Sequence, residues 1–162
     1  MAHEIRPATM QDYEALDKLW REGDEHHYLA LSRFFRKPAG PARSREFVAS
    51  ILNDEDAALF VAERDGVVVG LLHVWLRQAL DHPPSRPRTY VMVDSVVVAR
   101  ATQRSGVGTT LMGRAESWAR EKGTNQLELQ VWEFNVGAVA LYEKLGYRTV
   151  SRRMWKALGD GQ

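Results

Sequence analysis

The chain contains no cysteine. Disulfide bridges, a thiolate nucleophile, an acyl-thioenzyme and cysteine-ligated zinc are therefore excluded. There is no H-E-x-x-H run, and His26 and His27 are adjacent rather than one helical turn apart, so a shared metal is not expected. A long apolar run is missing too. The longest near-continuous one, residues 67–76, is too short to span a bilayer and is interrupted by His73. The opening Met-Ala-His-Glu-Ile-Arg has no apolar core of a secretory signal, so a cytoplasmic location is expected. Nor is there an excess of charge of one sign: 22 Lys+Arg against 21 Asp+Glu leave a formal charge of +1, which offers no attraction for nucleic acid or an anionic membrane. The basic run at 152–156 would be split between two faces of a strand and reads as a solvated edge.

What is present is an ordinary globular composition. With 162 residues, 44% hydrophobic and 27% charged, the chain suits one domain, 1–162, with its own core. No repeat or interdomain linker is visible. Ile5 lies in a short edge strand that Pro7 ends. Thr9 caps a helix over 10–22 with Asp12 in the acidic third position, Tyr13, Leu16, Leu19 and Trp20 forming its apolar stripe and Gly23 stopping it. A second helical piece covers 26–35, and Ser44 caps a third over 45–52. From Ala57 the period changes to that of strands: 59–63 and 67–76, joined by the hairpin pair Asp65-Gly66, then 90–99. A helix over 107–122, a strand over 126–132, a helix over 136–145 and a β-rich stretch over 147–158 complete the chain. This order implies a mixed sheet with helices on both faces.

The run Gln103-Arg104-Ser105-Gly106-Val107-Gly108 falls between a strand and a helix. Free N–H groups of a first helical turn and the helix dipole make such a place attractive to phosphate. The P-loop lysine is absent, and Leu111 stands where a dinucleotide fingerprint needs its third glycine. Glu128 lies about where a ribose-binding acid would fall, but ATP and NAD remain weak readings of this turn. In the strand 126–132, Leu127, Leu129 and Val131 alternate with Gln126, Glu128, Gln130 and Trp132. A parallel strand buried on both faces should be apolar throughout, so the polar face points to a wet cleft or to solvent.

Two patterns together resemble the GCN5-related N-acetyltransferase (GNAT) superfamily. Gln103, Gly106 and Gly108 meet its Q/R-x-x-G-x-G/A motif, and Asn135, Ala138, Leu141, Tyr142, Gly146 and Tyr147 meet N-x-x-A-x-x-L-Y-x-x-x-G-F/Y in order and at the family's spacing. The match is clear over about 91–158. The resemblance implies an α/β (α+β) fold with a mixed, mostly antiparallel sheet whose fourth and fifth strands, here 90–99 and 126–132, run parallel and splay apart. It implies acetyl-CoA as co-substrate and acetyl transfer to a primary amine of a small molecule or peptide, by direct attack in a ternary complex. Backbone groups of Val96, Val97 and Val98 would pair with pantetheine and stabilise the oxyanion. Arg104, Ser105, Gly106, Val107, Gly108 and Thr109, beside Gln103, would hold the pyrophosphate, and Asn135 the pantetheine arm. Tyr142 would protonate the departing thiolate; the bland alternative is a core tyrosine on an apolar stripe.

The base is open. Ribosomal-protein acetyltransferases of the superfamily carry a glutamate five residues before the asparagine, where this chain has Gln130, and an amide cannot accept the amine's proton. Asp94 and Glu128 are the candidates, followed by Glu133 or by bulk water alone. His73, in an apolar strand, reads as a satisfied core histidine. Dimerisation is common in the superfamily, and 147–158 is the stretch that could supply it. Two other readings stand beside the enzyme: a catalytically idle CoA-binding sensor or partner module, and a doubly wound nucleotide-binding domain. The acceptor amine is not legible.

Overall fold

The computed structural model describes residues 2–159, in two compact units, Met1–Gln130 and Val131–Gln162. The first carries a five-stranded sheet in the order β1 (Glu4–Pro7), β2 (Ala57–Arg64), β3 (Val67–Ala79), β4 (Arg88–Val98), β5 (Leu127–Leu129). Neighbouring strands are antiparallel except β4 and β5, which are parallel. The helices are α1 (Tyr13–Ala30), α2 (Arg45–Leu52) and α3 (Val107–Glu121).

Local chemistry explains several element ends. Thr9 caps the turn Met10–Asp12 that leads into α1: its hydroxyl accepts from the Gln11 N–H, and Asp12 Oδ2 accepts from the Thr9 N–H at 2.8 Å. Ser44 caps α2 by accepting from the Phe47 N–H at 3.1 Å. Asp65 and Gly66 take positive φ of 51° and 75°, as the tight β2–β3 turn demands.

The sheet has two apolar faces. On one, Tyr13, Leu16, Leu19 and Trp20 of α1 and Val48 and Ile51 of α2 form a core with Leu59, Val61 and Leu71. On the other lies α3, whose buried stripe is Val107, Leu111, Met112, Ala115, Trp118 and Ala119. Gly70 of β3 faces α3 at very close range. A Cβ there would stand 3.0 Å from Val107 Cγ1, 3.1 Å from Leu111 Cδ1 and 3.2 Å from the Val97 carbonyl oxygen. The missing side chain sets how closely the first turn of α3 approaches the sheet.

Three local expectations need correction. Gly23 does not stop the first helix: α1 continues to Ala30, and 26–35 is not a separate helix. An interior glycine costs a helix only about 1 kcal/mol relative to alanine. Contacts offset that here, since Arg43 grips the Asp24 carboxylate at 2.8 Å and His27 Nδ1 bonds the Gly23 carbonyl at 2.7 Å. The strand expected over 126–132 is limited to Leu127–Leu129, the part that pairs with β4. The stretch 147–158 forms no strand. Its β-propensity describes side chains suited to a pleated, half-buried surface, and Val150 and Met154 are 87% and 86% exposed.

The second unit holds α4 (Val136–Lys144). Gly146, at φ +93°, ends it, and the Tyr147 N–H donates to the Tyr142 carbonyl at 2.9 Å. Among the described residues no helix is long and apolar enough to cross a membrane.

Candidate active site

The pairing of β4 with β5 covers only Val91–Leu127, Met92–Glu128 and Val93–Leu129. Beyond Val93, β4 runs on to Val98 with β3 on one side and no β5 partner on the other. Val96, Val97 and Val98 are opposite Leu72, Leu71 and Gly70. The Ala99 N–H donates to the Val69 carbonyl of β3, so alternation turns the N–H and C=O groups of Val97 toward β3. Those of Val96 and Val98 turn to the far edge, where all but the Val98 carbonyl are left for another partner. This is the splay expected between the two parallel strands.

The glycine turn follows directly. Gln103 Nε2 donates to the Val98 carbonyl at 3.3 Å, tying the turn back to the end of β4. Ser105 Oγ donates to the Thr102 carbonyl and accepts from Arg64 at 3.0 Å. Arg104 and Gly106 are both left-handed, with φ of 61° and 86°. That conformation suits glycine and turns the chain into α3. Gly106 is the N-cap of α3, and no side chain caps the helix, so its first-turn N–H groups have no side-chain acceptor. A Cβ at Gly106 would meet nothing within 4 Å, so the approach is open. Gln103, Arg104, Ser105 and Thr109 are exposed, Gly108 is partly so, and Val107 is buried under the turn as its anchor. These features fit an anionic, pyrophosphate-bearing group such as the one acetyl-CoA carries.

Asp94 is placed by an irregularity in β4. His73 pairs with Ser95 and Val74 with Val93, so Asp94 is an extra residue between them, a β-bulge. Without it, side chains would alternate strictly. With it, Asp94 and Ser95 point to the same side, that of α1 and α2: Ser95 Oγ accepts from Trp20 Nε1 at 3.3 Å, and Asp94 Oδ2 meets His73 Nδ1 at 3.2 Å. The Asp94 side chain is 48% exposed and that of His73 1%. The His73 hydrogen bond outweighs burial and holds the Asp94 carboxyl below the usual carboxylate range. Electrostatic attraction from His73, the nearby Trp75 indole N–H and the charge of Arg43 add to the lowering. His73 is not the satisfied core histidine expected, since its Nε2 is buried without a partner.

Glu128 is differently placed. Its carboxylate is bound by Arg88 at 2.7 Å, and Arg88 also covers the Tyr90 ring at 4.4 Å. Glu133 belongs to the second unit, 3.9 Å from Arg152. In that unit Asn135 is the N-cap of α4 without a side-chain cap bond, leaving its amide for other use. The Tyr142 ring meets Tyr147 edge-on, centroids 5.8 Å apart, and burial pushes the Tyr142 phenol above its ordinary value. The first unit thus gathers Asp94, Val96–98 and the turn 103–109 along one strand and its exit, with Glu128 across the short parallel ladder. Sequence reasoning missed Gly70 and the bearing of His73 on Asp94. An isolated glycine in an apolar strand was a signal for close backbone approach; for the bulge no comparable signal exists. Among the described residues no group of three or more His, Cys, Asp or Glu could hold a metal ion.

A model of the acetyltransferase (GNAT) family matches residues 10–147. The chain belongs to this family. It is 30% identical over 124 residues to the probable N-acetyltransferase camello of Xenopus tropicalis, a match covering 76% of this chain and 51% of that protein. The chain therefore spans about half the length of that relative. A mutant of the BH1408 protein of Bacillus halodurans superposes with a TM-score of 0.91 at 24% identity, over 96% of this chain and 99% of that one. The aminoglycoside N-acetyltransferase AAC(6')-Iy, solved in complex with CoA, gives a TM-score of 0.71 at 19% identity, over 97% and 95%. At these identities the structural likenesses establish the GNAT fold.

Proposed function

We propose that this GNAT protein is an acetyl-CoA-dependent N-acetyltransferase that moves acetyl to a primary amine of a small molecule or peptide by direct attack in a ternary complex. The observation that carries the reading is the unpaired edge of β4 after Val93 leading to the uncapped N-terminus of α3. Such an edge can pair with an amide-bearing arm while the helix end takes its phosphates. When bound there, acetyl-CoA would supply the activated acetyl group. The chain's own residues do the rest. Of the stretch Val96, Val97 and Val98, the first and last offer backbone N–H groups on the open edge, one of them to the thioester oxygen, as in an oxyanion hole, while Val97 between them pairs with β3. Gln103 fixes the turn to Val98. Arg104, Ser105, Gly106, Val107, Gly108 and Thr109 present N–H groups to the phosphates.

Asp94 is the favoured acceptor-side carboxylate, because it is half exposed and ionised, whereas Glu128 is occupied by Arg88. An anion there receives a hydrogen bond from the amine and hands its proton on to water. From the second unit the reading takes Tyr142 as the acid for the thiolate and Asn135 as a ligand of the pantetheine arm. Both rest on their positions in the N-x-x-A-x-x-L-Y-x-x-x-G-F/Y pattern. The whole chain acts as one catalytic domain in this reading, in the cytoplasm, and a homodimer is compatible with it.

Calorimetric titration with acetyl-CoA, with NAD and ATP in parallel and Gly108→Trp as a blocked variant, tests the proposal. Binding of acetyl-CoA alone, lost in the variant and followed by thiol release with an amine panel, is the expected result. Binding without turnover on any amine would instead favour the idle CoA-binding module. No binding by folded protein would overturn both.

A further inference from the structure

Asp94 and His73 form a pair that the proposed reaction leaves half explained. The carboxylate is open to solvent, but the imidazole beneath it is sealed in, with Phe47 of α2 edge-on at 6.3 Å and Trp75 tilted at 4.6 Å between ring centroids. Burying an imidazole with one nitrogen unsatisfied is costly, so its place in a strand of Val and Leu calls for a reason. Geometry supplies one. Opposite an ionised carboxylate, Nδ1 must carry the proton and donate; a lone pair there would face a negative oxygen. Nε2 is then the nitrogen left without a partner. The imidazole cannot turn over without losing the Asp94 bond, and the Phe47 and Trp75 rings bound the space in which it could do so.

We infer that His73 is a positioning residue: its Nδ1–H grips Asp94 Oδ2 from inside the sheet, so that the bulged carboxylate is held with Oδ1 turned to the acceptor amine. The inference rests on the proposed use of Asp94. The groups bearing on the pair come from every element packed against it. From β3 there is Trp75, and from α1 and α2 the uncharged Trp20 and Phe47. From the segment before α2 there is Arg43, whose guanidinium is already shared with Asp24 by two hydrogen bonds of 2.8 and 3.3 Å. Arg43 can therefore bias the carboxylate but cannot replace the His73 donor.

The test compares three variants in the full chain. His73→Leu removes the donor, His73→Asn keeps an N–H near the position of Nδ1, and His73→Gln carries its amide too far along. Carboxyl-labelled aspartate followed by NMR reports Asp94 titration without any turnover, with Asp94→Asn identifying the signal. Acetyl transfer to an amine reports kcat and KM. In His73→Leu and His73→Gln, Asp94 should titrate at or above the ordinary aspartate value of about 3.9. In both, kcat/KM for the amine should fall about tenfold or more, as misplacement of a reacting group does, with acetyl-CoA KM unchanged. His73→Asn should stay near the unsubstituted protein in both readouts. Should the leucine variant fail to fold, the Asn–Gln pair carries the comparison. The inference is overturned if Asp94 titrates alike in all variants, or if activity follows melting temperature whichever amide is present. If no amine is acetylated by the unsubstituted protein, the proposed function fails, and the titration still decides whether His73 holds Asp94.

Discussion

Two glycines that touch the same strand should respond in opposite ways to the same added methyl group. At Gly70 the new carbon would lie 3.0 Å from Val107 Cγ1, 3.1 Å from Leu111 Cδ1 and 3.2 Å from a backbone oxygen. Comfortable carbon contacts are about 3.5–4.0 Å, so α3 must lift by several tenths of an ångström or its side chains must leave their rotamers. Overpacking of this kind costs about 1–3 kcal/mol. With a shift of about 2–4 °C per kcal/mol for a chain of this size, Gly70→Ala should lower Tm by roughly 2–12 °C. Gly23, in contrast, has Val97 Cγ2 at 3.5 Å, an ordinary contact, and lies in α1 without a positive φ. Gly23→Ala should stabilise by about 0.5–1 kcal/mol, the usual helix difference. The Gly70 change has a second consequence, because the first turn of α3 is what Val107 holds down. Interactions of an anion with a helix N-terminus are worth about 0.3–2 kcal/mol, so displacing that turn should weaken acetyl-CoA binding by a few-fold to about tenfold. Thermal unfolding and calorimetry on both variants check this. Equal stability of the two, with acetyl-CoA affinity unchanged at Gly70→Ala, would refute the packing argument.

Other outcomes follow from the same geometry. Tyr142→Phe should lower kcat by roughly 10² or more, in the range of a lost general acid, with acetyl-CoA affinity nearly unchanged in calorimetry; unaltered turnover removes it from the mechanism. Asp94→Asn should reduce kcat/KM for the amine by at least tenfold while the acetyl-CoA Kd stays put, whereas Glu128→Gln should do much less; a reversed ranking makes Glu128 the acceptor carboxylate. Arg6 holds the Asp12 carboxyl below the usual range, with the Thr9 N–H helping against burial. Ionised Asp12 therefore contributes stability that is full above its unfolded value of about 3.9 and is lost as pH falls through the lower folded value. Asp12→Asn should cost about 1–2 kcal/mol near neutral pH, and the gap to the unsubstituted protein in urea unfolding should close below about pH 4; a gap that widens in acid contradicts the assignment.

The legible parts of this chain were those governed by local chemistry. Thr9, Ser44 and Asp65-Gly66 mark ends and turns because their side chains or φ angles act within a few residues. Gln103, Gly106 and Gly108 stood out because a strand–turn–helix junction needs them in fixed order. What escaped depends on partners far along the chain. Whether Gly23 ends a helix is decided by Arg43 reaching Asp24, 19 residues away. Whether 147–158 becomes a strand is decided by a neighbour the stretch itself does not specify. That Asp94 meets His73, 21 residues apart, follows from one unpaired residue in a ladder, and the valines around it give no hint of it.

That unpaired residue stands outside the reading frame of the strand. Val91 and Val93 before it, and Val96 and Val98 after it, share the α3 side because Asp94 is not counted in the alternation. Removing residue 94 would delete the carboxylate and close the bulge. Ser95 would then follow Val93 in strict alternation, still opposite His73, so Ser95 and Val97 keep the α1 side and Val96 and Val98 the α3 side. The strand can therefore lose this residue without losing its frame, whereas a deletion between Val96 and Val98 would turn the end of β4 over. A variant lacking residue 94 should fold and lose acceptor turnover, and one lacking Val97 should be the less stable of the two in thermal unfolding.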